Sequence, residues 1–322
     1  MMTSRERVLC ALAGGRPDVV PFAEQFVGGQ IPRRLLNLPD GAPFQQKDLA
    51  DAMGNDVVKF SHLPPLFYEK APDGHSFGPG LIRTRDDLSK LVFDDDERWI
   101  GDAREFLTTQ RGDRAAVGGT RLGLSPTLIS MGLEPFSMAL YDDPGLIEEI
   151  LGRYVAFAKR TIEVYCDLGV DVIWCFDDFA YKTGPMFSPL TFREVVLPIV
   201  RRATDAIGVP WIFHSDGNLF PVMDDLLSLG MSGLHPIEPE AMDLAEAKRI
   251  LAGKACVIGN ISVDLLARGT PQEIHEAVRA ALEVGAPGGG YMISSGNSIP
   301  AYAELENVRQ MIRSITALRG KF

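Results

Sequence analysis

The stretch that decides the fold of this chain is Pro210-Trp211-Ile212-Phe213-His214-Ser215-Asp216-Gly217-Asn218. The apolar run at 211–213 is typical of a short buried strand. The polar residues behind it cannot continue a buried strand without hydrogen-bond partners, because burying unpaired polar groups is costly. If several such strands form one parallel sheet, His214 and Asp216 lie at a strand end where α/β folds concentrate functional residues.

The same pattern of a short apolar run followed by polar residues recurs along the chain. It predicts eight strands, separated mostly by helices, at 19–26, 56–60, 114–120, 171–176, 210–216, 233–238, 256–260 and 291–297. Alternating strands and helices are typical of a parallel sheet, and eight such units in 322 residues fit a closed (β/α)8 barrel, the TIM barrel, better than an open sheet. No linker or low-complexity segment interrupts the pattern, so we predict one α/β barrel domain spanning 1–322.

Two segments lie outside the repeating units. Residues 3–14 are predicted to form an N-terminal helix, because Thr3 and Glu6 match a capping box. Residues 61–83 are rich in proline and glycine, and we expect an excursion that forms a hairpin or a lid over a site.

The composition is that of a globular chain, with 46% hydrophobic and 23% charged residues and a net charge of -11. This acidic balance disfavours general binding to nucleic acids or anionic membranes. No apolar run reaches the length of a membrane span, and the N-terminus lacks the apolar core of a signal peptide, so we expect a cytoplasmic protein. Cys10, Cys166, Cys175 and Cys256 are expected to be buried thiols in a reducing compartment.

Polar residues follow several of the predicted strands, and in a barrel these strand ends converge on one mouth. They are Glu24 and Gln25, Asp177 and Asp178, His214 and Asp216, Glu238, Asn260, and Ser295 and Asn297. Carboxylates crowded around an imidazole would repel one another unless a cation or a shared proton relieves them. The pattern therefore indicates a metal site or acid–base chemistry.

Each of these residues also has a purely structural interpretation. His214 alone could be a core histidine bonded to a backbone carbonyl, and Asp177-Asp178 could be a helix cap or a turn. Glu24 could lie on the surface. The predicted site therefore depends on the recurrence of polar strand ends and not on any single residue.

Six motifs together give the chain a family resemblance over nearly its whole length. They are T-S-R-E-R-V-L-C-A-L-A-G-G-R-P-D-V-V-P at 3–21, D-D-F-A-Y-K-T-G-P-M-F-S-P at 177–189, F-H-S-D-G-N at 213–218, H-P-I-E-P at 235–239, I-G-N-I-S at 258–262 and G-G-G-Y-M-I-S-S-G-N-S-I-P at 288–300. In these motifs the chain resembles the uroporphyrinogen decarboxylase (URO-D) superfamily. The resemblance implies a (β/α)8 barrel, in agreement with the strand count.

Two departures from the superfamily's patterns bear on function. True uroporphyrinogen decarboxylases share an M-R-Q-A-G-R stretch after the first strand, whose arginines receive substrate carboxylates, whereas this chain has E-Q-F-V-G-G at 24–29. A substrate with many carboxylates would meet like charge there. Corrinoid-linked methyltransferases acting on thiols share H-x-C on a late strand and a later Cys. His214 matches that His, Asp216 replaces the first Cys and Ser295 the second, which implies a site with oxygen ligands.

The resemblance thus implies a methyltransferase closer to the corrinoid-dependent branch, which moves a methyl group from a small methoxy or methylated substrate to a corrinoid protein. We expect zinc on His214, Asp216 and Glu238, activating the leaving group. The catalytic set is His214, Asp216, Asp178 and Glu24, and the substrate-binding set is Asp177, Tyr181, Glu238, Asn260, Ser295 and Asn297. A cofactor-free uroporphyrinogen decarboxylase-type enzyme and a non-catalytic ligand-binding barrel are the alternatives. The oligomeric state is open, with a homodimer as one option.

Overall fold

The structure is a computed structural model that describes residues 1–71, 77–93 and 97–322. The strands are β1 Val57–Ser61, β2 Tyr68–Lys70, β3 Phe77–Gly80, β4 Ala115–Thr120, β5 Val172–Phe176, β6 Ala180–Tyr181, β7 Gly184–Pro185, β8 Trp211–His214, β9 Gly233–Ile237, β10 Cys256–Gly259 and β11 Tyr291–Met292. The helices are α1 Ser4–Leu12, α2 Ile31–Leu35, α3 Gln46–Met53, α4 Arg98–Gln110, α5 Leu124–Met131, α6 Leu133–Asp142, α7 Pro144–Leu168, α8 Pro189–Thr191, α9 Leu197–Thr204, α10 Met223–Leu227, α11 Leu244–Leu251, α12 Val263–Arg268, α13 Pro271–Gly285 and α14 Leu305–Leu318. Short 3-10 segments cover Arg85–Lys90 and Phe220–Val222, and a π-helical turn, Phe192–Val196, joins α8 to α9.

Seven strands form one parallel sheet in the order β1-β4-β5-β8-β9-β10-β11. The extended segment around Phe22 takes the eighth place, since Phe22 pairs with Ile293 beyond β11 and its carbonyl accepts from the N–H of Asp56 before β1. The predicted (β/α)8 barrel is therefore confirmed.

The first predicted strand, 19–26, is an extended segment and not a regular strand. Among the described residues, it pairs with the sheet through an isolated bridge at Phe22, and a second isolated bridge follows at Val27. On the side of β1, side chains replace part of the backbone ladder. Asp56 accepts from the N–H of Phe22, and the amide of Asn55 exchanges two hydrogen bonds with the backbone of Glu24. Because these hydrogen bonds come from side chains, the segment lacks the repeating backbone hydrogen bonds that define a regular strand.

The interior of the barrel is a small apolar cluster, distinct from the layer between sheet and helices. Its members are Val8, Ala11, Leu12, Ala23, Val57, Ala115, Val117, Val172, Trp174, Ile212, Cys256, Ile258 and Met292. Helix α1 contributes three of them, so it closes one end of the barrel. The predicted helix 3–14 is thus confirmed over Ser4–Leu12, with the capping box of Thr3 and Glu6 in place.

A buried carboxylate anchors the chain just before β5. Asp171, before β5, accepts from the Nε of Arg5 at 2.6 Å, the Nη2 of Arg111 at 2.6 Å and the N–H of Ala116 at 2.8 Å. These contacts connect α1, α4 and β4 at the end of the barrel opposite the strand tips, where residues serve stability.

The predicted excursion at 61–83 contains an antiparallel pair, β2 with β3, while residues 72–76 within it lie outside the described residues. A hairpin is therefore supported for the described part. Among the described residues, no helix combines the length and the apolar character needed to cross a bilayer.

Candidate active site at the barrel mouth

The side chains at the barrel mouth continue the inward-facing positions of the strands. Alternate residues of a strand face the same side of a sheet, so the residues two and four beyond an interior residue also point inward. On β1 the series runs from Val57 to Lys59 and Ser61, and on β8 from Ile212 to His214 and Asp216. The period of two therefore selects which polar residues meet in the mouth.

These side chains line a cavity of about 570 Å³, called the mouth cavity below. Its polar lining residues are Glu24, Gln25, Gln46, Asn55, Lys59, Ser61, Arg121, Ser125, Asp178, His214, Asp216, Asn297 and Ser298. Its apolar lining residues are Phe26, Val27, Phe44, Leu49, Ala50, Met53, Val57, Leu63 and Phe176. A concave site in which apolar walls surround convergent polar groups is typical of small-molecule binding.

Three residues form what we call the carboxylate–histidine cluster. One ligand atom each from Asp178, His214 and Asp216 lies within 4.8 Å of the other two. The Nε2 of His214 is 3.4 Å from the Oδ1 of Asp216, and the N–H of Asp216 donates to the Oδ1 of Asp178 at 3.1 Å. Asn297 donates from Nδ2 to the Oδ2 of Asp216 at 2.7 Å, which fixes the orientation of that carboxylate.

The electrostatics of Asp216 keep it ionised. Burial raises the pKa of a carboxyl group, but the hydrogen bond and charge of His214 and the hydrogen bond from Asn297 outweigh burial here, and the pKa lies below its usual value. Its Oδ1 is buried, and apart from the long approach of the Nε2 of His214 at 3.4 Å it has no hydrogen-bond partner among the described residues. A buried, charged oxygen without a donor requires either a cation or a ligand group.

The donor set of this cluster fits a divalent cation. The cluster offers one imidazole nitrogen and two carboxylate oxygens as ligand atoms on one side of the cavity. The Oδ1 of Asp216, which has no hydrogen-bond partner among the described residues, is available to a cation. A ligand set of one nitrogen and two oxygens is harder than a thiolate site and suits zinc or another first-row divalent metal.

His214 is in turn held by a second imidazole. Its Nδ1 lies 2.8 Å from the Nδ1 of His235, so one ring donates and the other accepts. Burial lowers the pKa of His235 well below its usual value, so this ring is neutral. If neutral His214 donates, its Nε2 lone pair is free for a metal. If His235 donates, the proton of His214 is on Nε2 and points at Asp216.

Replacing His235 by phenylalanine is expected to weaken metal binding roughly 10–100-fold, because the ring of His214 loses the partner that orients it. Titration against a competing chelator measures this. The variant His235→Asn, whose amide can occupy the position of Nδ1, should recover part of the affinity. Equal affinities in all three proteins would show that His235 does not orient His214.

Comparison with known proteins identifies the family. The family model described as uroporphyrinogen decarboxylase (URO-D) matches residues 73–318, most of the chain. This chain belongs to the URO-D family.

The relatives within the URO-D family fall into two groups. Methylcobamide:CoM methyltransferase MtaA of Methanosarcina barkeri is 27% identical over 159 residues, which is 49% of this chain and 44% of that relative. This chain therefore matches less than half the length of that protein. Uroporphyrinogen decarboxylase of Shewanella halifaxensis is 23% identical over 266 residues, covering 76% of this chain and 73% of the relative.

A solved structure has the same fold. A methyltransferase from Methanosarcina mazei superposes with a TM-score of 0.76 at 20% identity, and the match covers 98% of this chain and 99% of that one. The two chains therefore share one fold over nearly their whole lengths.

Several of the site residues predicted from the sequence lie in the mouth cavity. They are Glu24, Asp178, His214, Asp216 and Asn297. Ser295, predicted to bind substrate, is fully buried and lies outside the lining of the mouth cavity, and its N–H and hydroxyl donate to the two oxygens of Glu24 at 3.0 and 3.1 Å. Burial raises the pKa of Glu24 to about 7, so this carboxyl group gains or loses a proton near neutrality.

Asp177 and Glu238 lie outside the mouth cavity. Asp177 is buried and accepts from the N–H groups of Gly123, Leu124 and Ser125 at the start of α5, so its role is that of a helix cap. Burial raises its pKa to about 6, which leaves it ionised at neutral pH. Glu238 accepts from the N–H of Gly217 at 3.2 Å and does not belong to the carboxylate–histidine cluster.

The remaining two predicted substrate-binding residues also lie outside the lining of the mouth cavity. Tyr181 is exposed at the tip of β6, and Asn260 is half-buried after β10. The structure thus places Asp178, and not the predicted Glu238, beside His214 and Asp216 in the carboxylate–histidine cluster.

Two cations in the mouth cavity were missed by the sequence analysis. Lys59 donates from Nζ to the Oε1 of Gln25 at 3.0 Å, and the same Nζ lies 4.3 Å from the ring centre of Phe176. Burial lowers the pKa of Lys59 to about 7. Arg121 lies two residues beyond Gly119, on the inward side of β4. Both residues could have been found from the alternation of side chains along a strand. Lys59 lies two residues after the interior residue Val57, and Arg121 lies four residues after the interior residue Val117.

Proposed function

We propose that this URO-D family member is a methyltransferase that takes a methyl group from a small methoxy or methylated substrate, with a corrinoid protein as the methyl acceptor. The observation that carries the proposal is the carboxylate–histidine cluster, with the unpartnered Oδ1 of Asp216, at the mouth of a barrel whose relatives include a methylcobamide methyltransferase.

The residues that would hold the metal are Asp178, His214 and Asp216, and zinc is the proposed ion. When bound, a divalent cation supplies Lewis-acid activation of the leaving oxygen. The chain itself orients the reactants: Asn297 fixes the carboxylate of Asp216, and His235 holds the ring of His214. The apolar residues of the lining, Phe176 among them, would provide the surface against which the methyl group packs.

Glu24 is the proposed general acid. It lines the mouth cavity, and its pKa, raised to about 7 by burial, keeps a proton available near neutral pH. After the methyl group has left an ether, the product oxygen carries a negative charge, and protonation by Glu24 would release a neutral hydroxyl product. The hydrogen bonds from Ser295 keep this carboxyl group in place.

Metal analysis and a transfer assay test the proposal together. Purified protein is expected to contain about one divalent metal ion per chain by mass spectrometry, and chelation should abolish demethylation of methoxy compounds with free cob(I)alamin as acceptor. Formation of methylcobalamin is followed by its absorbance. Protein without metal, or activity that survives complete metal removal, would contradict the proposed chemistry.

Decarboxylation is a second candidate, favoured by the uroporphyrinogen decarboxylase relatives and by the two cations in the mouth cavity. A tetrapyrrole with many carboxylates would need more cationic partners than Lys59 and Arg121 alone. An assay with uroporphyrinogen distinguishes the two functions, and coproporphyrinogen formation would favour this one.

A further inference from the structure

Four consecutive hydrogen bonds cross the mouth cavity from Lys59 to Asp216. The Nζ of Lys59 donates to the Oε1 of Gln25 at 3.0 Å, and the Nε2 of Gln25 donates to the Oγ of Ser298 at 2.9 Å. The hydroxyl of Ser298 donates to the Oδ1 of Asn297 at 3.3 Å, and the Nδ2 of Asn297 donates to the Oδ2 of Asp216 at 2.7 Å. All five residues line the mouth cavity, and we call them the mouth network.

The charged ends of the mouth network fix the direction of every hydrogen bond within it. An ammonium group has only donors, and a carboxylate has only acceptors. The oxygen of Gln25 must therefore face Lys59, and the NH2 group of Asn297 must face Asp216. Each amide then turns its other polar atom to the hydroxyl of Ser298, which accepts from Gln25 and donates to Asn297. Hydrogen bonds that all point the same way polarise and strengthen one another.

The backbone brings Gln25 and Ser298 together, although the two residues are 273 positions apart. Val27 forms an isolated bridge with Ile299, and the N–H of Gly28 donates to the carbonyl of Ile299 at 2.8 Å. These contacts join the first extended segment of the barrel to the segment after β11. The side chains of the mouth network are therefore positioned by closure of the barrel.

The mouth network determines which oxygen of Asp216 is available to a cation. The Oδ2 of Asp216 accepts from Asn297, whereas its Oδ1, 3.4 Å from the Nε2 of His214, has no closer donor among the described residues. Rotation of this carboxylate would require Asn297 to release Oδ2, and Asn297 is held in turn by Ser298. Groups that orient a ligand in this way raise its affinity for metal.

We propose that Gln25 and Ser298 are positioning residues, which act through Asn297 to hold the carboxylate of Asp216 in the orientation that binds a divalent cation. Ser298 is one hydrogen bond and Gln25 two hydrogen bonds removed from Asn297, so neither is a metal ligand or a catalytic group. The inference rests on the proposed function for the metal, while the hydrogen bonds themselves are testable in the metal-free protein.

Threonine and valine at position 298 test the longest hydrogen bond of the mouth network, because the two side chains have nearly the same shape and only threonine has a hydroxyl group. Ser298→Thr is expected to keep the zinc affinity of the unaltered protein. Ser298→Val should weaken zinc binding roughly 3–10-fold, which is less than the effect of removing a group that touches a ligand directly. Titration against a competing chelator measures both affinities.

Gln25→Leu should weaken zinc binding by a similar factor, because it removes the donor to Ser298. Combined with Ser298→Val it should cause little further loss, since a network that is already broken cannot be broken again. Gln272→Leu is the matched control and should leave zinc binding unchanged, because Gln272 is exposed on α13, where it donates to Glu276. Equal zinc affinities for Ser298→Thr and Ser298→Val, or losses that add in the double variant, would overturn the proposal.

A measurement without metal separates this inference from the proposed function. In metal-free protein labelled with 15N at asparagine, the side-chain amide resonance of Asn297 is assigned by its loss in Asn297→Ala. We expect it to keep its position in Ser298→Thr and to shift in Ser298→Val, because only the second variant removes the hydroxyl donor.

The two measurements fail in different ways. The expected shift, in a protein that binds no zinc, would support the mouth network and contradict the metal-assisted methyl transfer. An unshifted Asn297 resonance in Ser298→Val, with zinc binding and methylcobalamin formation as in the unaltered protein, would support the proposed function and overturn the mouth network.

Discussion

Replacing Asp216 by alanine is expected to weaken metal binding at the barrel mouth and to slow methyl transfer roughly 10²–10³-fold. The Oδ1 of Asp216 has no hydrogen-bond partner among the described residues and lies 3.4 Å from the Nε2 of His214, so its removal takes away one of three ligands. Lewis-acid activation is worth several kcal/mol, and each 1.4 kcal/mol is about tenfold in rate. Metal content and initial rates of methylcobalamin formation measure the effect.

Glu238→Gln is the informative comparison for this experiment. The sequence placed Glu238 among the metal ligands, whereas the structure has its carboxylate bonded to the N–H of Gly217 and 3.7 Å from the Nζ of Lys182. We expect this variant to retain its metal. Loss of metal in Glu238→Gln with full retention in Asp178→Asn would support the ligand set inferred from sequence and contradict the set proposed from the structure.

Replacing Asp177 by asparagine is expected to destabilise the fold by about 3 kcal/mol, because a buried acceptor of three N–H groups becomes partly a donor. One oxygen of Asp177 accepts from Gly123 and Leu124 and the other from Ser125. An amide retains a single oxygen, so its NH2 group must face an N–H of the helix terminus. Thermal and denaturant unfolding measure the loss.

The neighbouring substitution Asp178→Asn separates folding from chemistry. The Oδ1 of Asp178 accepts only one hydrogen bond that the structure describes, from the N–H of Asp216, and an amide oxygen can retain it. Its stability should change by less than about 1 kcal/mol, while its metal affinity falls. Asp177→Asn would then mainly lower the free energy of unfolding, whereas Asp178→Asn would mainly lower the affinity for metal. Equal destabilisation by both substitutions would contradict the assignment of Asp177 to the helix terminus.

Much of the site could be predicted because its residues lie directly behind apolar runs. The pattern placed His214, Asp216 and Asp178 at strand ends, and the closure of the barrel brings strand ends together. Lys59 was missed because it lies inside the sequence Val57-Val58-Lys59-Phe60, where it was counted as part of a strand. Its position two residues beyond the interior residue Val57 would have indicated that it faces the mouth.

The sequence by itself determined the barrel and the strand ends that carry polar residues, because both follow from local alternation of apolar and polar segments. Only the tertiary structure decided which residue of an adjacent pair faces the cavity. Asp178 shares the inward phase of Trp174 and Phe176, whereas Asp177 points outward to α5. It also decided the pairing of Glu24 with Ser295, 271 residues apart, since such contacts depend on closure of the sheet and leave no trace in local sequence.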